Sequence, residues 1–598
     1  MPAALSKRDE VRVEDTWDLS TIYPTTDAWE KNLAWVNEEL PKLAAYQGTV
    51  GKDAQTLYSL FQLDNKVSEV LGRLYVYAHL LSDEDTANGP NQARVGRVMM
   101  LAAKAAAATA FIRPEVLELS QERLGAFFKD EPRLELYRHF LDDWMRAKPH
   151  VRSAEVEALL AEAIEPLQAP SQIFNMLNNA DLKLPTIKDE QGQDVELTKG
   201  NYILFLENKD RRVRKDAFEA MHGSFLNQRN TLAATLNGEV KTHVFGARAR
   251  HYSSSLEAAL DANNIPVSVY TNLVDTVANN LGVLHRYLRL RKKLLGLDEL
   301  HMYDLYVPMV AEVEYKVTFE QAKATVARAL APLGEDYVAD MVRGFDSRWI
   351  DVYENQGKRG GAYSGGTYGT NPFVLLNHQD NLNSMYTLAH EFGHSMHSFY
   401  TRRTQPFVYG DYTIFVAEVA STLNEALLTP FLLQETSDRL LRMYIINHYL
   451  EGFRATLYRQ TMFAAFEQQI HAAAEASEPL TADSLSAMYK ALNDSYYGAE
   501  VHVDDLIAIE WARIPHFYFN FYVFQYATGI SAAAALAKQI LTEGKPAVER
   551  YRRFLTRGSS EYSINLLRDA GVDMASPEPV QQALDLFGEY VGELEKMV

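Results

Sequence analysis

Residues His390, Glu391 and His394 form the pattern H-E-x-x-H, whose residue types and spacing are suited to metal chemistry. The surrounding run, 383–400, has no proline and one glycine, so we expect a helix. A helix turns about 100° per residue, which places the three side chains on one arc at about 0°, 100° and 40°. Two imidazoles one turn apart can hold one zinc ion, with the carboxylate beside its open position. Such a site can hydrolyse peptide bonds with a metal-bound water, and Glu391 would take a proton from that water.

The alternative is a chance match, because a chain with 16 His can contain this pattern without any site. A real site needs a third ligand, and a chain with 0 Cys must take it from His, Asp or Glu. His397 lies about 10 Å along the helix from His390, too far to share the ion comfortably. The metzincin pattern is excluded, because its glycine and third histidine would stand where this chain has His397 and Tyr400.

Two glutamates on the next predicted helix are candidates for the third ligand. This helix begins near Thr413, and Glu418 and Glu425, seven residues apart, lie on one face of it. A short break between the helices makes them antiparallel neighbours, which brings Glu418 back over His394. One glutamate would complete a His₂Glu site, and the other would accept the second N–H of a ligand imidazole. Spacing favours Glu418 only modestly over Glu425.

A glycine-rich stretch precedes the zinc helix, with six glycines among the thirteen residues 357–369. This composition excludes a helix, and a nucleotide site is excluded because no Gly-Lys-Ser/Thr follows. We expect a small sheet whose edge strand pairs with the backbone of a peptide substrate. Gly361, Tyr363 and Tyr368 are therefore candidate substrate-binding residues. The alternative is a glycine-rich surface loop.

Near the C-terminus, seven aromatic residues occupy the ten positions 517–526. Tyr522 and Tyr526 are expected one turn apart on one helical face. A tetrahedral intermediate needs donors for its oxyanion, and phenol O–H and imidazole N–H groups such as that of His516 suit this task. The alternative is an ordinary core helix.

The rest of the chain predicts a mainly α protein. Amphipathic helices with short breaks fill residues 27–180, and a hairpin turning at Gln191-Gly192 follows. We therefore expect a helical N-terminal lobe over 1–200 and a catalytic region over 201–598, with lobes that can interleave. We find no internal repeat or low-complexity linker.

Charge and composition exclude several partners. The formal net charge is −20 without a concentrated block, so we expect no nucleic-acid partner. The N-terminus lacks the apolar segment of a secretion signal. The longest apolar stretch, 98–112, is interrupted by Lys104 and is judged too short to span a bilayer. We expect a cytoplasmic protein without a membrane partner, and the sequence leaves its oligomeric state open.

The chain resembles the oligoendopeptidase F group of the thimet-oligopeptidase (M3) family of zinc peptidases over nearly its whole length. The motifs that carry the resemblance are Trp17-Asp18-Leu19, Gly357-Lys-Arg, Gly361-Ala-Tyr-Ser364, His390-Glu-Phe-Gly-His394, Glu418-Val-Ala-Ser421 and Ala512-Arg-Ile-Pro-His-Phe517. The resemblance implies one Zn²⁺ per chain, bound by His390, His394 and Glu418, with Glu391 as general base.

The family's Glu-x₆-Glu spacing matches Glu418 and Glu425, which implies an orienting role for Glu425. The family also uses a downstream histidine and tyrosines on substrate and oxyanion. They match His516, Tyr522 and Tyr526, and Tyr518 as a substrate-binding residue.

The resemblance further implies a mainly α, two-lobed helical body with a deep substrate channel and a small β-sheet next to the zinc helix. The expected activity is hydrolysis of internal bonds in short unstructured peptides. Two alternatives stay open, namely a carboxypeptidase on the same scaffold and a non-catalytic peptide-binding module with a structural zinc. A structural zinc site usually closes the fourth position and needs no adjacent base, which argues against the second.

Overall fold

The computed structural model describes residues 5–310 and 315–598. Helices dominate these residues, which confirms the mainly α prediction. The helices of the first half are α1 (Thr26–Ala44), α2 (Ala54–Glu84), α3 (Gly89–Thr109), α4 (Ile112–Glu118), α5 (Gln121–Asp130), α6 (Arg138–Arg146), α7 (Ala154–Leu167), α8 (Ala169–Met176), α9 (Tyr202–Leu206), α10 (Arg211–Leu226), α11 (Arg229–Ala249), α12 (Ser255–Asp261), α13 (Val267–Asn279) and α14 (Leu281–Leu294).

The second half continues the helical pattern to the C-terminus. Its helices are α15 (Phe319–Ala329), α16 (Glu335–Asp346), α17 (Leu382–Thr404), α18 (Ile414–Glu435), α19 (Arg439–Phe453), α20 (Arg459–Glu475), α21 (Ala482–Tyr497), α22 (Phe524–Glu543), α23 (Lys545–Leu555), α24 (Ser563–Ala570) and α25 (Glu578–Lys596). The strands are short: β1 (Thr186–Lys188), β2 (Asp194–Glu196), β3 (Leu300–His301), β4 (Ile350–Asp351), β5 (Tyr363–Gly365), β6 (Phe373–Leu375) and β7 (Val501–His502).

The chain divides into two compact units, each built from three segments. Unit 1 comprises Met1–Lys148, Tyr315–Phe431 and Leu536–Gly571. Unit 2 comprises Pro149–Glu314, Leu432–Ala535 and Val572–Val598. Residue 200 is not a limit of either unit, and the proposed division into 1–200 and 201–598 stays a prediction.

The core of unit 1 joins its N-terminal helices to a small sheet. Trp17 is buried and packs edge-on against Phe373 of β6, with ring centroids 6.3 Å apart. The Asp18 backbone N–H donates to the Arg348 carbonyl at 2.8 Å. These contacts fix the start of the chain on the sheet.

Three strands form this sheet in the order β4-β6-β5. β4 pairs with β6 in parallel and β5 pairs with β6 antiparallel, so β5 is an edge strand. Gly361 and Gly366, at φ +85° and +149°, bracket β5 with backbone conformations that L side chains rarely adopt. The small sheet predicted before the zinc helix is confirmed.

The helix predicted around the H-E-x-x-H pattern is confirmed and is α17. It begins after Asn381, whose side chain accepts a hydrogen bond from the Ser384 N–H at 2.8 Å. It ends at Thr404, two residues before Pro406, because the residue preceding proline avoids the helical conformation. The next predicted helix is also confirmed and is α18.

Unit 2 contains two separate strand pairs. β1 and β2 form the predicted antiparallel hairpin, with Gly192 at φ +79° in its turn. β3 and β7 pair in parallel, Leu300 opposite Val501 and His301 opposite His502. This second pair joins residues about two hundred positions apart, and no local pattern predicted it.

One helical stretch, Gly89–Glu118, reaches the length and apolar composition of a membrane span. It comprises α3 and α4, and α3 packs against α1 and α2. The stretch is longer than the segment 98–112, which it contains. A single helix of this kind is weak evidence for a membrane location, because core helices of other proteins have the same length and composition. The cytoplasmic location stays a prediction.

Candidate metal centre

Helices α17 and α18 approach each other closely at Gly393. A Cβ atom added to Gly393 would lie 2.4 Å from Ser421 Cα and 2.5 Å from the Ala420 carbonyl oxygen. Asn424 ties the helices further, because its Nδ2 donates to the Ala389 carbonyl at 2.8 Å. The missing side chain at Gly393 therefore lets α18 lie against the zinc-motif face of α17.

This packing brings three ligand atoms together. Glu418 Oε2 lies 3.3 Å from His390 Nε2 and 3.5 Å from His394 Nε2. The two imidazole rings stand edge to face, with centroids 4.9 Å apart. One ligand atom from each residue lies within 4.8 Å of the other two. Two nitrogens and one oxygen thus converge on one point, as a His₂Glu metal site requires.

Glu425 occupies a different position from Glu418. Its Oε1 lies 2.5 Å from His390 Nδ1, on the side of the ring opposite the nitrogen that faces Glu418. In its neutral form, which is the form that binds a metal ion, His390 donates its Nδ1–H to Glu425 and directs the Nε2 lone pair toward Glu418. The geometry therefore favours Glu418 as the ligand and Glu425 as the residue that orients His390.

The histidines and glutamates of this cluster shift the pKa values of one another. Burial alone would lower the pKa of His390, but hydrogen bonds to Glu418 and Glu425 outweigh it and raise that pKa well above its ordinary value. Burial would raise the pKa of Glu418, but hydrogen bonds to the two histidines hold it far below its ordinary value. The Glu418 carboxylate is thus kept ionised, which is the form that binds metal ions.

Glu391 is buried on α17 between the two histidines of the motif. Burial raises its pKa, and the nearby His390 and His394 rings oppose that rise. The Glu418 carboxylate adds to it by repulsion. Glu391 is therefore a carboxyl group whose proton affinity is increased beside the candidate metal ligands.

The edge strand β5 lies against α17. The hydroxyls of Ser364 on β5 and Ser395 on α17 share a hydrogen bond at 2.8 Å. Gly361 lines a small pocket together with Thr387, one turn before His390. The strand expected to bind substrate is therefore packed on the helix that carries the motif.

The two candidate tyrosines of this region have engaged hydroxyls. Tyr363 donates to Asp83 Oδ2 at 2.6 Å, and Tyr368 donates to the Gln405 carbonyl at 3.0 Å. Both bonds hold the glycine-rich segment in place. The substrate-binding roles of Gly361, Tyr363 and Tyr368 stay predictions.

In unit 2, His516, Tyr522 and Tyr526 form an aromatic cluster. The His516 ring lies 6.1 Å from Tyr522 and 6.2 Å from Tyr526, and the two tyrosine rings lie 5.5 Å apart. Burial lowers the pKa of His516, so its imidazole is neutral at neutral pH. A neutral imidazole and two phenols are all able to donate hydrogen bonds.

The expectation that Tyr522 and Tyr526 share one helical face was wrong. The segment forms two 3₁₀ helices, Asp505–Arg513 and Pro515–Tyr518, and α22 begins only at Phe524. Tyr522 therefore precedes the helix that carries Tyr526. Aromatic spacing alone did not reveal the break, because the same residues suit a core helix and a buried loop.

Tyr518 is buried, whereas His516, Tyr522 and Tyr526 are each partly exposed. Its ring stacks on Phe174 with centroids 4.2 Å apart, and its hydroxyl shares a hydrogen bond with Thr235 at 2.8 Å. These contacts argue for a core residue. Its substrate-binding role stays a prediction.

The sequence did not predict the buried residue that holds the aromatic segment 517–526 in place. Asn520 and Phe521 adopt left-handed conformations, at φ +46° and +59°. The Phe521 N–H donates to Glu467 Oε1 at 2.5 Å, and Glu467 is fully buried on α20. No local signal marks Glu467, since it is 54 residues away in sequence. Gly393 did carry a signal, because a glycine between two motif residues of a helix requires a packing reason.

Comparisons with known proteins assign the chain to a family. The profile described as Peptidase family M3 matches residues 204–586, and the profile described as Oligopeptidase F matches residues 115–183. The chain is 51% identical to oligopeptidase PepF of Bacillus subtilis (strain 168), covering 99% of this chain and 89% of that protein.

Solved structures share the fold over almost the whole chain. A protein from Chlamydophila abortus matches with a TM-score of 0.92 and 37% identity, over 99% of this chain and 100% of that one. Oligoendopeptidase-F from Enterococcus faecium matches with a TM-score of 0.76 and 40% identity, over 96% of this chain and 99% of that one. With most of the chain matched by the first profile, the protein is a peptidase that belongs to peptidase family M3.

Proposed function

We propose that the protein is a zinc-dependent endopeptidase that hydrolyses internal bonds of short, unstructured oligopeptides. The observation that carries the proposal is the convergence of His390 Nε2, His394 Nε2 and Glu418 Oε2, at 3.3 and 3.5 Å, beside Glu391. Three protein ligands with one open position are typical of catalytic zinc, whereas structural zinc is usually bound by four.

The donor set fits zinc. Imidazole nitrogens and a carboxylate oxygen suit Zn²⁺, and two ligand atoms bound tetrahedrally at about 2.0–2.1 Å lie about 3.3 Å apart. The two nitrogen–oxygen distances at Glu418 agree with that spacing. When bound there, zinc lowers the pKa of water and polarises a carbonyl oxygen.

Glu391 is proposed as the general base and, later, the general acid. Its carboxylate accepts the proton of the attacking water and returns it to the amine of the leaving peptide. Burial raises its pKa, which suits a group that must both accept and release a proton. Glu425 positions His390 through the Nδ1 hydrogen bond and does not touch substrate.

His516, Tyr522 and Tyr526 are proposed as donors to the oxyanion of the tetrahedral intermediate. The proposal rests on the family resemblance and on the donor groups that these side chains carry together in unit 2. β5 is proposed to pair with the substrate backbone. As the outer strand of its sheet, it would bind peptides through main-chain hydrogen bonds with little selection among side chains.

The names of the relatives support the substrate class. They are described as an oligopeptidase and an oligoendopeptidase, which are names for enzymes that cleave short peptides. Short peptides in extended conformation can also form a strand on β5, which a folded protein cannot do without unfolding locally.

The deciding experiment is mass spectrometry of the products from one unstructured peptide of about ten residues. Internal cuts that vanish with a chelator and return with Zn²⁺ are the expected result. Single C-terminal losses would instead identify a carboxypeptidase. No cleavage by protein with bound zinc would identify a binding module.

Two variants test the residue roles in the same assay. Glu391→Gln keeps the shape of the side chain but cannot take a proton, so turnover should fall strongly while bound zinc is unchanged. Glu418→Gln removes the anionic ligand, so zinc itself should be lost. Full turnover in Glu391→Gln would contradict its role as base, and stoichiometric zinc in Glu418→Gln would contradict the ligand assignment.

A further inference from the structure

The parallel pair of β3 and β7 in unit 2 carries a second group of metal-ligating side chains. His301 and His502 are opposite each other in the register, and their ring centroids lie 4.7 Å apart. One ligand atom from each of His301, His502 and Asp504 lies within 4.8 Å of the other two. Within residues 5–310 and 315–598, this group and the His390 group are the two of that kind.

The Glu299 carboxylate bridges the two imidazoles. Its Oε2 lies 3.1 Å from His301 Nε2, and its Oε1 lies 3.6 Å from His502 Nδ1. Ligand atoms on one tetrahedral zinc lie about 3.3 Å apart. The two distances from Glu299 lie on either side of that value, and the 3.3 and 3.5 Å at Glu418 lie at it and just above it. Each histidine thus faces a different oxygen of Glu299, whereas both histidines of the candidate metal centre in unit 1 face the single oxygen Oε2 of Glu418.

Asp504 fixes the orientation of His301. Its Oδ1 lies 2.8 Å from His301 Nδ1, and its Oδ2 accepts the Met302 backbone N–H at 3.0 Å. Both oxygens are therefore engaged, and His301 Nδ1–H donating to Asp504 leaves the Nε2 lone pair toward Glu299. This is the relation that Glu425 has to His390, in which a carboxylate sets the tautomer of a ligand histidine.

The nearby arginine does not occupy the position that a bound cation would take. Arg211 lies nearby, but its guanidinium donates to Asp304 and to the Glu299 carbonyl, each at 2.8 Å. Among the described residues, the basic side chains that lie within ion-pair distance of the Glu299 carboxylate are the two histidines, which are charged only when protonated. The His502 side chain is 54% exposed, so an ion can enter from solvent and water can complete its coordination.

We propose that Glu299, His301 and His502 bind a divalent transition-metal ion, with Asp504 orienting His301. Imidazole nitrogens select Zn²⁺, Ni²⁺ or Cu²⁺ over Ca²⁺ and Mg²⁺, which prefer oxygen ligands. The ion joins β3 to β7, strands about two hundred residues apart, immediately before the 3₁₀ helix Asp505–Arg513. Its role is to clamp this strand pair, because an ion that binds only the folded chain stabilises it.

The test counts zinc ions in the full-length protein. Protein stripped with a chelator is dialysed against excess Zn²⁺ alone, and bound zinc per chain is measured by atomic emission. We expect two ions in the wild type, one in His502→Ala, one in Glu418→Gln and none in the double variant. If the candidate metal centre of unit 1 does not bind zinc but this second site does, the wild type should bind one ion, His502→Ala none and Glu418→Gln one.

A matched control and a second variant distinguish the loss of a metal ligand from the unfolding of a variant. His251→Asn removes another exposed histidine of unit 2, at φ +62° where asparagine is tolerated, and should keep two ions. Glu299→Gln changes an exposed carboxylate to its neutral isostere and should lose the same ion as His502→Ala. Zinc should raise the melting temperature more in Glu418→Gln than in the double variant. Unchanged zinc content in both His502→Ala and Glu299→Gln would overturn the proposal.

Discussion

His390 is held between two carboxylates, with Glu425 Oε1 at 2.5 Å from its Nδ1 and Glu418 Oε2 at 3.3 Å from its Nε2. The two glutamates lie two turns apart on α18, so one helix supplies both the candidate metal ligand and the group that orients another ligand. The orientation of a single imidazole thus assigns different tasks to two residues of the same type.

Replacing Glu425 by glutamine should weaken zinc binding without abolishing it. The neutral amide orients His390 less firmly and no longer favours electron donation from its ring, so zinc affinity should fall about 10- to 100-fold. Competition with a chelator of known affinity measures the change. Glu435→Gln, at the exposed end of the same helix, should bind zinc like the wild type. A loss as complete as that in Glu418→Gln would mean that Glu425 is itself the ligand.

Gly393→Ala should separate α17 from α18 and disturb the metal centre. The added methyl group would lie 2.4 Å from Ser421 Cα, so the backbone must move, at a cost of about 1–3 kcal/mol or more. Thermal unfolding and zinc content should both decrease. Gly246→Ala, in α11, meets no atom within 4 Å and should be neutral or about 0.5–1 kcal/mol more stable. Wild-type zinc affinity in Gly393→Ala would contradict the close-packing argument.

His516→Ala and Tyr526→Phe should lower kcat more than they raise KM. Donors that act on the oxyanion contribute mainly in the transition state, and removing one typically reduces kcat about 10²- to 10³-fold. Steady-state kinetics on one oligopeptide separate the two parameters. Tyr590→Phe removes a hydroxyl elsewhere in unit 2 and should leave both unchanged. A change in KM alone would identify His516 and Tyr526 as binding residues.

Glu467 should make stability depend on pH. Burial raises its pKa from 4.5 to about 8, and its Oε2 has no hydrogen-bond partner among the described residues. Between those two pH values the folded chain binds a proton that the unfolded chain has released. The stabilising contribution is therefore complete below about pH 4.5 and is lost as the pH rises to about 8.

Glu467→Gln removes this ionisation while its amide oxygen can still accept the Phe521 N–H. The variant should melt at a higher temperature than the wild type at pH 8, with a smaller difference at pH 5. Scanning calorimetry at both pH values gives the comparison, in which the other titrating groups cancel. Glu478→Gln changes an exposed glutamate just after α20 and should show no such difference. Parallel wild-type and Glu467→Gln profiles would show that Glu467 is ionised in the folded state.

Local spacing predicted most of what depends on one element. His390, Glu391 and His394 lie on one face because four residues span about one helical turn, and this holds wherever the helix lies. The glycines around β5 likewise excluded a helix there. The prediction for the aromatic segment was wrong, because its composition suits both a helix and the observed break before Phe524.

The sequence by itself therefore determined the mainly α class, the zinc-motif helix and the pair of glutamates from which a third ligand is drawn. Only the tertiary structure decided which glutamate faces both histidines, because that depends on how closely α18 approaches Gly393. It also decided that Glu467 supports Phe521 and that His301 lies opposite His502. Contacts between distant residues follow from the packing of whole elements, which no short-range periodicity encodes.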